Sequence, residues 1–359
     1  MKRLRSLVWF VLSMLVITTM HGKTKDLNRM ADSFISKDFT GTILLAEKGK
    51  IKYLQYAGPA NRREDITNSA KTRFHIYSIT KTFTATLILQ LYEQGRINLD
   101  STIAAYYPEY TGEAAHKVTI RNLLTYSSGR DLQEMRNFLE VYSNDLWPPD
   151  TFINRYCSGK LVVQPGTQFN YNNGDFIILG RIIEHVYQKP YETVLQEKIL
   201  TPLHMANSGY IHHQDIIKNM AEGYAYCDTC TQKFYTPTNA YIDNLFSAGA
   251  MYSTAEDLLL FDQAIFNHTI LKKATVDLML TPYANLEETA LGFWVYPKKI
   301  GNVNTMFVER QGSGYGFHSN WVHLLDQDIT LILLENNESI DLNQMRFKLL
   351  ESYLKTDKR

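Results

Sequence analysis

Strand-like segments stand at the two ends of this chain of 359 residues, and helical patterns fill the long span between them. Near the N-terminus, residues 41–47 and 51–56 flank a Lys48-Gly49-Lys50 turn and predict a β-hairpin. Strand character returns only late in the chain, over 291–296, 304–309, 316–322 and 329–334. We therefore predict an α/β (α+β) fold. Its antiparallel sheet is built from both chain ends and flanked by helices, and a mainly helical lobe of about residues 72–285 is inserted in the middle.

Helical periodicity is clearest from Tyr77 to about Asn98, where Phe83, Leu87 and Leu91 recur on one face. An amphipathic segment over 342–354 predicts a closing helix, and further helical patterns cover 118–126, 174–188, 191–200 and 254–266. No internal repeat and no Pro/Gly/Ser-rich linker divides the chain. Residues 23–359 are therefore predicted to form one domain.

Composition narrows the class of protein. The chain is 45% hydrophobic, which is enough for a large core, and it has 37 basic and 37 acidic residues. A balanced charge lacks the basic surface that nucleic-acid binding requires, so we expect no nucleic acid as a partner. The ten histidines are scattered, which argues against a metal-dependent lactam hydrolase. We expect neither a metal nor a cofactor.

The first residues have the pattern of an export signal. Lys2, Arg3 and Arg5 precede an apolar run over 7–20, which is short for a membrane span. Residues 1–22 are therefore predicted to be a signal peptide or an N-terminal anchor. The protein would then be exported, periplasmic or secreted, with membrane anchoring only through an uncleaved N-terminus.

Three cysteines would meet an oxidising compartment in an exported protein. The spacing of Cys227 and Cys230 permits a local disulfide or half of a zinc site, and no second ligand pair stands at metal spacing. A structural or incidental role is favoured for these two and for Cys157.

Ser78 and Lys81 form an S-x-x-K pair that opens the first long helical pattern. A serine hydroxyl is a poor nucleophile near neutral pH, and an amine one helical turn further on lies on the same face, close enough to accept its proton. The pair therefore predicts a nucleophile with its base. The alternative interpretation is a capping serine followed by a solvated lysine.

Two downstream segments add polar groups that could assist a serine nucleophile. Tyr171 and Asn173 lie in a turn-rich loop before a predicted helix. A phenol near a cationic lysine can shuttle a proton, and an amide can orient the lysine and a substrate carbonyl. The second segment, 310–317, is rich in glycine and lies between two predicted strands, where backbone N–H groups can donate to an oxyanion. Alone, these segments also fit an ordinary packed loop and a surface hairpin.

Together, these motifs resemble the serine β-lactamase-related hydrolases, which comprise class C β-lactamases, D-alanyl-D-alanine carboxypeptidases and several esterases. Their motif set includes S-x-x-K, and in the class C-like branch a Tyr-x-Asn follows, as in Tyr171-Asn172-Asn173. The resemblance runs from about residue 40 to 335. Further similar stretches are 123–129, 165–166, 173–180, 202–205 and 247–258.

The resemblance implies a β-lactamase/transpeptidase-like fold and a role for each motif residue. Ser78 would be the acylated nucleophile, Lys81 its activating partner, Tyr171 the proton shuttle and Asn173 the orienting amide. The backbone N–H groups of Ser78 and Ser313 would form the oxyanion hole. The reaction would be acyl transfer through a covalent acyl-serine that water hydrolyses.

The third motif departs from these relatives, because it begins with Arg310 and continues Gln311-Gly312, where the family usually has Lys or His. A guanidinium could grip a substrate carboxylate in a bidentate manner, with Gly312 allowing close approach; equally, its bulk could narrow the cleft.

These motifs predict a serine hydrolase that acts on a small-molecule or peptide substrate. The candidates are a β-lactam, a D-Ala-D-Ala-type peptide and a small ester, and the sequence does not separate them. The alternative is a non-hydrolytic, penicillin-binding receptor-like relative that is acylated without efficient turnover.

Overall fold

The computed structural model describes residues 25–136, 138–237 and 240–355, so the predicted leader, 1–22, lies outside the described residues. The strands are β1 Gly41–Glu47, β2 Lys50–Ala57, β3 Pro59–Asn61, β4 Ile66–Thr67, β5 Phe74–His75, β6 Gly209–Tyr210, β7 Ala225–Tyr226, β8 Phe234–Tyr235, β9 Met251–Ser253, β10 Trp294–Ile300, β11 Val303–Gly314, β12 Phe317–Leu324 and β13 Ile329–Glu335.

Most of the helices lie in the middle of the chain. They are α1 25–35, α2 Thr80–Glu93, α3 Ile120–Leu124, α4 Gln133–Arg136, α5 Phe138–Ser143, α6 Pro149–Phe152, α7 Gly174–Tyr187, α8 Tyr191–Leu195, α9 Phe246–Gly249, α10 Ala255–Phe266, α11 Lys273–Met279 and α12 Leu342–Leu354. Two π-helical turns, Ile153–Cys157 and Gln196–Leu200, continue α6 and α8.

The main sheet joins the two ends of the chain, as the sequence predicts. Its six antiparallel strands lie in the order β10-β11-β12-β13-β1-β2. The N-terminal hairpin enters through β1, which pairs along its whole length with β13, from Gly41 opposite Glu335 to Glu47 opposite Ile329. The helical segment between β2 and β10 therefore forms an insertion into one continuous sheet, and the predicted fold class is confirmed.

Each face of the sheet carries a hydrophobic layer, and successive residues of a strand alternate between the two. Leu44 and Val308 pack in the core shared with the helical lobe, whereas their neighbours Ile43 and Phe307 pack in the core shared with α1 and α12. The helices at the two ends of the chain thus cover the face that the lobe does not.

α2 is the central helix of the lobe, and 11 of its residues are buried, including Phe83, Leu87 and Leu91. Two of its buried threonines donate to carbonyl groups of other segments: the Thr82 hydroxyl to the Gly292 carbonyl at 3.0 Å, and that of Thr84 to the Ser247 carbonyl at 2.6 Å. The helix is shorter than predicted. It begins at Thr80, after a 3₁₀ turn over Tyr77–Ile79, and ends before Gly95, whose φ is +68°.

The segment after Glu309 is the main correction to the predicted elements. The sequence places the segment 310–317 between two strands, but β11 continues to Gly314 and pairs with β12 up to the Gly314–Phe317 pair. The glycines do not end the strand; they allow its backbone to lie close to the residues before α2.

Cys227 and Cys230 form a disulfide beside the small β7–β8 hairpin, which is one of the two alternatives left open by their spacing. Within 25–136, 138–237 and 240–355, no group of three or more potential ligands is arranged to hold a metal ion. Over the same ranges, no helix is long and apolar enough to cross a membrane.

Candidate active site

Ser78 lies in the 3₁₀ turn that leads into α2 and is half-buried at the junction of the sheet and the helical lobe. The preceding residue, Tyr77, has a φ of +42°, a conformation that costs energy for a bulky residue. Packing holds it there, because its ring lies against His75, Tyr315 and Phe317. The strained turn directs Ser78 into an open cleft.

Lys81 lies one helical turn after Ser78 and is completely buried. Its ammonium donates three hydrogen bonds: to Ser78 Oγ at 3.0 Å, to Asn173 Oδ1 at 2.8 Å and to the Ala248 carbonyl at 2.8 Å. Burial is the main cause that lowers the pKa of Lys81 to about 8, and the positive charge of Arg310 lowers it further. A neutral amine is therefore accessible near physiological pH.

Tyr171 contacts the same hydroxyl from the loop that precedes α7. Its Oη lies 2.7 Å from Ser78 Oγ. Burial alone would raise the pKa of this phenol, but the positive charges of Lys81 and Arg310 outweigh it and lower the pKa to about 8. Ser78 Oγ thus lies between two groups that can each exist with or without a proton near pH 8.

A buried ion pair holds the loop that carries Tyr171 and Asn173. Asp175, in the first turn of α7, pairs with Arg130 at 3.0 Å, and both side chains are fully buried. Arg130 also donates to Asn172 Oδ1 at 3.0 Å. Asn172 lies between Tyr171 and Asn173 in the chain. By holding Asn172, the Arg130–Asp175 pair therefore fixes the position of both neighbours.

Arg310 belongs to the site but does not line its cleft. The side chain is fully buried behind Ser78, where Nε donates to the Ser78 carbonyl at 2.8 Å and Nη2 to Tyr171 Oη at 3.3 Å. Its guanidinium also lies 5.0 Å from the Trp294 ring. The predicted grip on a substrate carboxylate has no support from this placement. The guanidinium of Arg310 instead places its positive charge next to Tyr171 Oη, behind the Ser78–Tyr171 contact.

The end of β11 forms the wall of the cleft beside Ser78. The pairing of β11 with β10 ends at Glu309, so residues 310–314 present an edge that β10 does not cover. Gly312 is required here, because a Cβ at this position would lie 2.1 Å from the Ile76 carbonyl oxygen. Ser78 and Ser313 line the same cleft, as an oxyanion hole made of their N–H groups requires.

The cleft has a volume of about 630 Å³ and extends from Ser78 over the edge of β11 to the start of α12. Phe169 and Trp294 give it an aromatic wall next to Tyr171. Opposite that wall, polar residues of β11, β12 and α12 line it, among them Gln311, Ser313, His318, Asn320 and Asn343.

Sequence reasoning missed several residues that position the site. The Ala248 carbonyl, which accepts a hydrogen bond from Lys81, lies in a stretch noted for family resemblance, but a backbone acceptor leaves no mark on the side-chain pattern. Arg130 and Asp175 are 45 residues apart. Asp175 lies in the stretch 173–180 noted for family resemblance, but Arg130 lies outside any such stretch, and a charged residue beside an apolar run is equally typical of a surface position.

Chemically, the arrangement can activate a hydroxyl. Either Lys81 or Tyr171, once deprotonated, can accept the Ser78 proton as Oγ attacks a carbonyl carbon. The N–H groups at the edge of β11 can then stabilise the oxyanion.

The chain belongs to the β-lactamase family, whose model matches residues 34–352. A putative penicillin-binding protein, PbpX, of Bacillus subtilis (strain 168) is 28% identical over 285 residues, which are 79% of this chain and 69% of that protein. A teichoic acid D-alanine hydrolase of Staphylococcus aureus is 27% identical over 220 residues, which are 61% of this chain and 52%, about half, of that protein.

Solved structures support the same fold. The crystal structure of D-amino acid amidase from Ochrobactrum anthropi SV3, complexed with L-phenylalanine amide, aligns with a TM-score of 0.79 at 21% identity, over 92% of this chain and 98% of that one. The family resemblance stated from the motifs is therefore confirmed.

Proposed function

We propose that this protein is an exported serine hydrolase that forms an acyl-serine intermediate on an amide or ester. Ser78 Oγ attacks the carbonyl carbon while its proton passes to the Lys81–Tyr171 pair, and the N–H groups of Ser78 and Ser313 donate hydrogen bonds to the oxyanion. The C–O or C–N bond then breaks, and the leaving group takes the proton. Water hydrolyses the acyl ester and regenerates the serine.

One observation carries the proposal: Ser78 Oγ lies 3.0 Å from Lys81 Nζ and 2.7 Å from Tyr171 Oη, at the floor of an open cleft. Lys81 and Tyr171 both contact this hydroxyl, and each has a pKa of about 8, so either can accept its proton near neutral pH. The relatives' names, penicillin-binding protein, D-alanine hydrolase and D-amino acid amidase, support β-lactams, D-alanyl peptides or esters, and small amides as the substrate range.

The test is the intact mass of the purified protein over time after exposure to a penicillin, a cephalosporin and a small activated ester. We expect an adduct that forms and clears with at least one compound. Ser78→Ala should show none, whereas Ser69→Ala, the same change at an exposed serine, should behave as wild type. Labelling of Ser78→Ala at the wild-type rate would refute the assignment.

The same experiment separates turnover from trapping. An adduct that persists with every compound would favour the alternative, a penicillin-binding receptor-like protein that is acylated without efficient hydrolysis. The completeness of the Ser78, Lys81 and Tyr171 contacts supports turnover.

Export is supported by the basic and apolar pattern of residues 1–22 and by the Cys227–Cys230 disulfide, a bond typical of oxidising compartments. Expression of the full chain, followed by cell fractionation and N-terminal sequencing, tests it. Recovery of the protein in the cytoplasm with its leader intact would refute export.

A further inference from the structure

Three adjacent strands place a serine, a histidine and a glutamate in one row beside the nucleophile. Ser313 of β11 lies opposite His318 of β12, and His318 lies opposite Glu335 of β13. Residues directly opposite each other in an antiparallel pair project from the same face of the sheet. The three side chains therefore form a row that runs from the edge of β11 into the sheet.

Glu335 is an unusual member of this row. Its side chain is fully buried, and neither carboxylate oxygen makes a hydrogen bond to a described side chain. His318 is its nearest cationic partner, with Nδ1 at 3.7 Å from Oε2. Burial is the main cause that raises the pKa of Glu335 to about 7, and His318 acts against it. Once Glu335 ionises near neutral pH, its buried negative charge favours a protonated imidazole beside it.

His318 connects this buried carboxylate to the cleft. About a third of its side chain, 32%, is exposed, and it lines the cleft that contains Ser78 and Ser313. Lysine and arginine do not occur among the described residues that line the cleft, and Arg310 is buried behind it. His318 is therefore the cleft residue that can carry a positive charge.

Three carboxylates also line the cleft, and two of them have other partners. Glu309 pairs with Arg346 of α12. Asp341 accepts hydrogen bonds from the backbone N–H groups of Asn343 and Gln344 as the cap of α12. The third, Glu287, lies on the exposed rim near the start of β10, two strands away from His318.

We propose that His318, held and charged by Glu335, is the residue that recognises a carboxylate on the substrate, the role that the sequence suggested for Arg310. This inference rests on the proposed acyl-serine function. His318 is a specificity-determining residue, and Glu335 is a positioning residue that acts through it.

The recognition should depend on pH. The groups that face His318 are Glu335 from β13, Ser313 from β11, Glu338 from the loop after β13, and Asp341 across the cleft. Burial lowers the pKa of His318, but Glu335 and Glu338 outweigh it and raise the pKa above its ordinary value. The charged imidazole thus persists to higher pH than a free one and is lost as the pH rises through this raised value.

The experiment compares three p-nitrophenyl esters of similar length: a hexanoate, which is neutral, a hydrogen adipate, which is anionic, and a 6-aminohexanoate, which is cationic; these chains are too long for the fast five-membered-ring closure that would release p-nitrophenol without the enzyme. The ratio of kcat/KM for the anionic ester to that for the neutral ester is measured against pH. The ratio cancels the pH dependence of the shared chemical step. We expect it to be highest near about pH 6 and to fall as His318 loses its proton.

Two variants and a control sharpen the test. His318→Gln should lower the ratio by about tenfold near pH 6 and make it independent of pH, since one charge-assisted hydrogen bond is lost. Glu335→Gln should move the fall in the ratio to lower pH, which a merely structural role would not do. His116→Gln, the same change at an exposed histidine outside the cleft, should match wild type.

The outcomes distinguish the two proposals. Hydrolysis of the neutral ester with a ratio unchanged in His318→Gln, or a preference for the cationic ester at every pH, would overturn this inference and leave the serine hydrolase standing. No turnover of any ester and no adduct on Ser78 would overturn the proposed function and this inference with it.

Discussion

At the scale of single residues, the candidate site concentrates ionisable groups on one hydroxyl. Lys81 and Tyr171 both contact Ser78 Oγ, and Arg310 lies behind them with its Nη2 3.3 Å from Tyr171 Oη. The two pKa values near 8 are coupled, because the charge on Lys81 lowers the pKa of Tyr171 and the phenolate raises that of Lys81. The pH dependence of the activity will therefore give apparent pKa values that belong to the Lys81–Tyr171 pair and not to either residue alone.

Removing either member of the pair should slow acylation while leaving the fold intact. We expect Lys81→Met and Tyr171→Phe each to reduce the rate by roughly 10²–10⁴-fold, the usual contribution of general-base assistance. Stopped-flow kinetics with an activated ester measures the rate. Tyr92→Phe, on the exposed side of the same helix, is the matched control. Wild-type acylation by Tyr171→Phe would remove the phenol from the mechanism.

The charge of Arg310 should set the pH at which the enzyme becomes active. Proton acceptance from Ser78 requires the deprotonated form of Lys81 or Tyr171, so kcat/KM for a neutral ester should rise with pH and level off above about 8. Arg310→Met removes a positive charge that lowers both pKa values, so the rise should move to higher pH. Arg310→Lys should keep the midpoint close to that of wild type. Identical midpoints for Arg310→Met and wild type would contradict this role.

At the scale of elements, the site depends on how closely β11 approaches the turn before α2. Gly312 lies against the Ile76 carbonyl, and a Cβ at Gly314 would lie 2.7 Å from the Tyr77 ring. The Ser319 hydroxyl donates to the carbonyls of both Ile76 and Gly312, at 3.2 Å and 3.1 Å. Strand and turn therefore form one unit, which positions the backbone donors relative to Ser78.

Gly312→Ala should disrupt this unit. The added methyl group would lie 2.1 Å from the Ile76 carbonyl oxygen, so strand or turn must move. A displacement of the order of an ångström costs about 10²-fold in rate, and we expect a loss of this size in kcat/KM with a lower melting temperature. In Gly159→Ala the nearest atom would be 3.7 Å away, and we expect near-wild-type kinetics. Equal activity of the two variants would argue against a backbone role for β11.

At the scale of the whole molecule, a buried network of hydrogen bonds connects the helical lobe to the sheet. Asp262 of α10 accepts hydrogen bonds from Trp321 Nε1 and from the Thr330 hydroxyl, both at 2.7 Å, and lies 3.2 Å from His323 Nδ1. These three partners belong to β12 and β13, and the carboxylate is 2% exposed. The orientation of the lobe on the sheet, and hence the shape of the cleft, depends on this carboxylate.

Asp262→Ala should lower the free energy of unfolding by roughly 3–5 kcal/mol, because it leaves buried donors without their charged acceptor. Urea denaturation measures the change. Asp277→Ala removes an exposed carboxylate of α11 that pairs with Lys273 at the surface, and we expect a change of less than about 1 kcal/mol. If Asp262→Ala lowered the free energy of unfolding by as little as Asp277→Ala does, the buried network would contribute little to stability.

Periodicity and motif spacing are local properties of the sequence, and they were sufficient to predict much of the fold and of the candidate site. The strand-like runs on either side of the Lys48-Gly49-Lys50 turn predicted the N-terminal hairpin, and the i, i+3 relation put Ser78 and Lys81 on one face of a helix. The order of strands and helices predicted the sheet built from both ends. The predicted ends of two elements were wrong. α2 begins at Thr80, because Tyr77 adopts a positive φ, and β11 continues through its glycines to Gly314, because β12 pairs with it there.

Only the tertiary structure decided what the charged residues do, because electrostatic environment depends on neighbours distant in the chain. From the sequence, Arg310 could either grip a substrate carboxylate or narrow the cleft. In the fold it is buried against the Ser78 carbonyl, a group 232 residues away in the chain. The pairing of three adjacent strands placed His318 between Ser313 and Glu335. The sequence by itself therefore determined the family and the fold and supplied Ser78 as the candidate nucleophile, whereas long-range packing decided which charges face the cleft and which lie behind it.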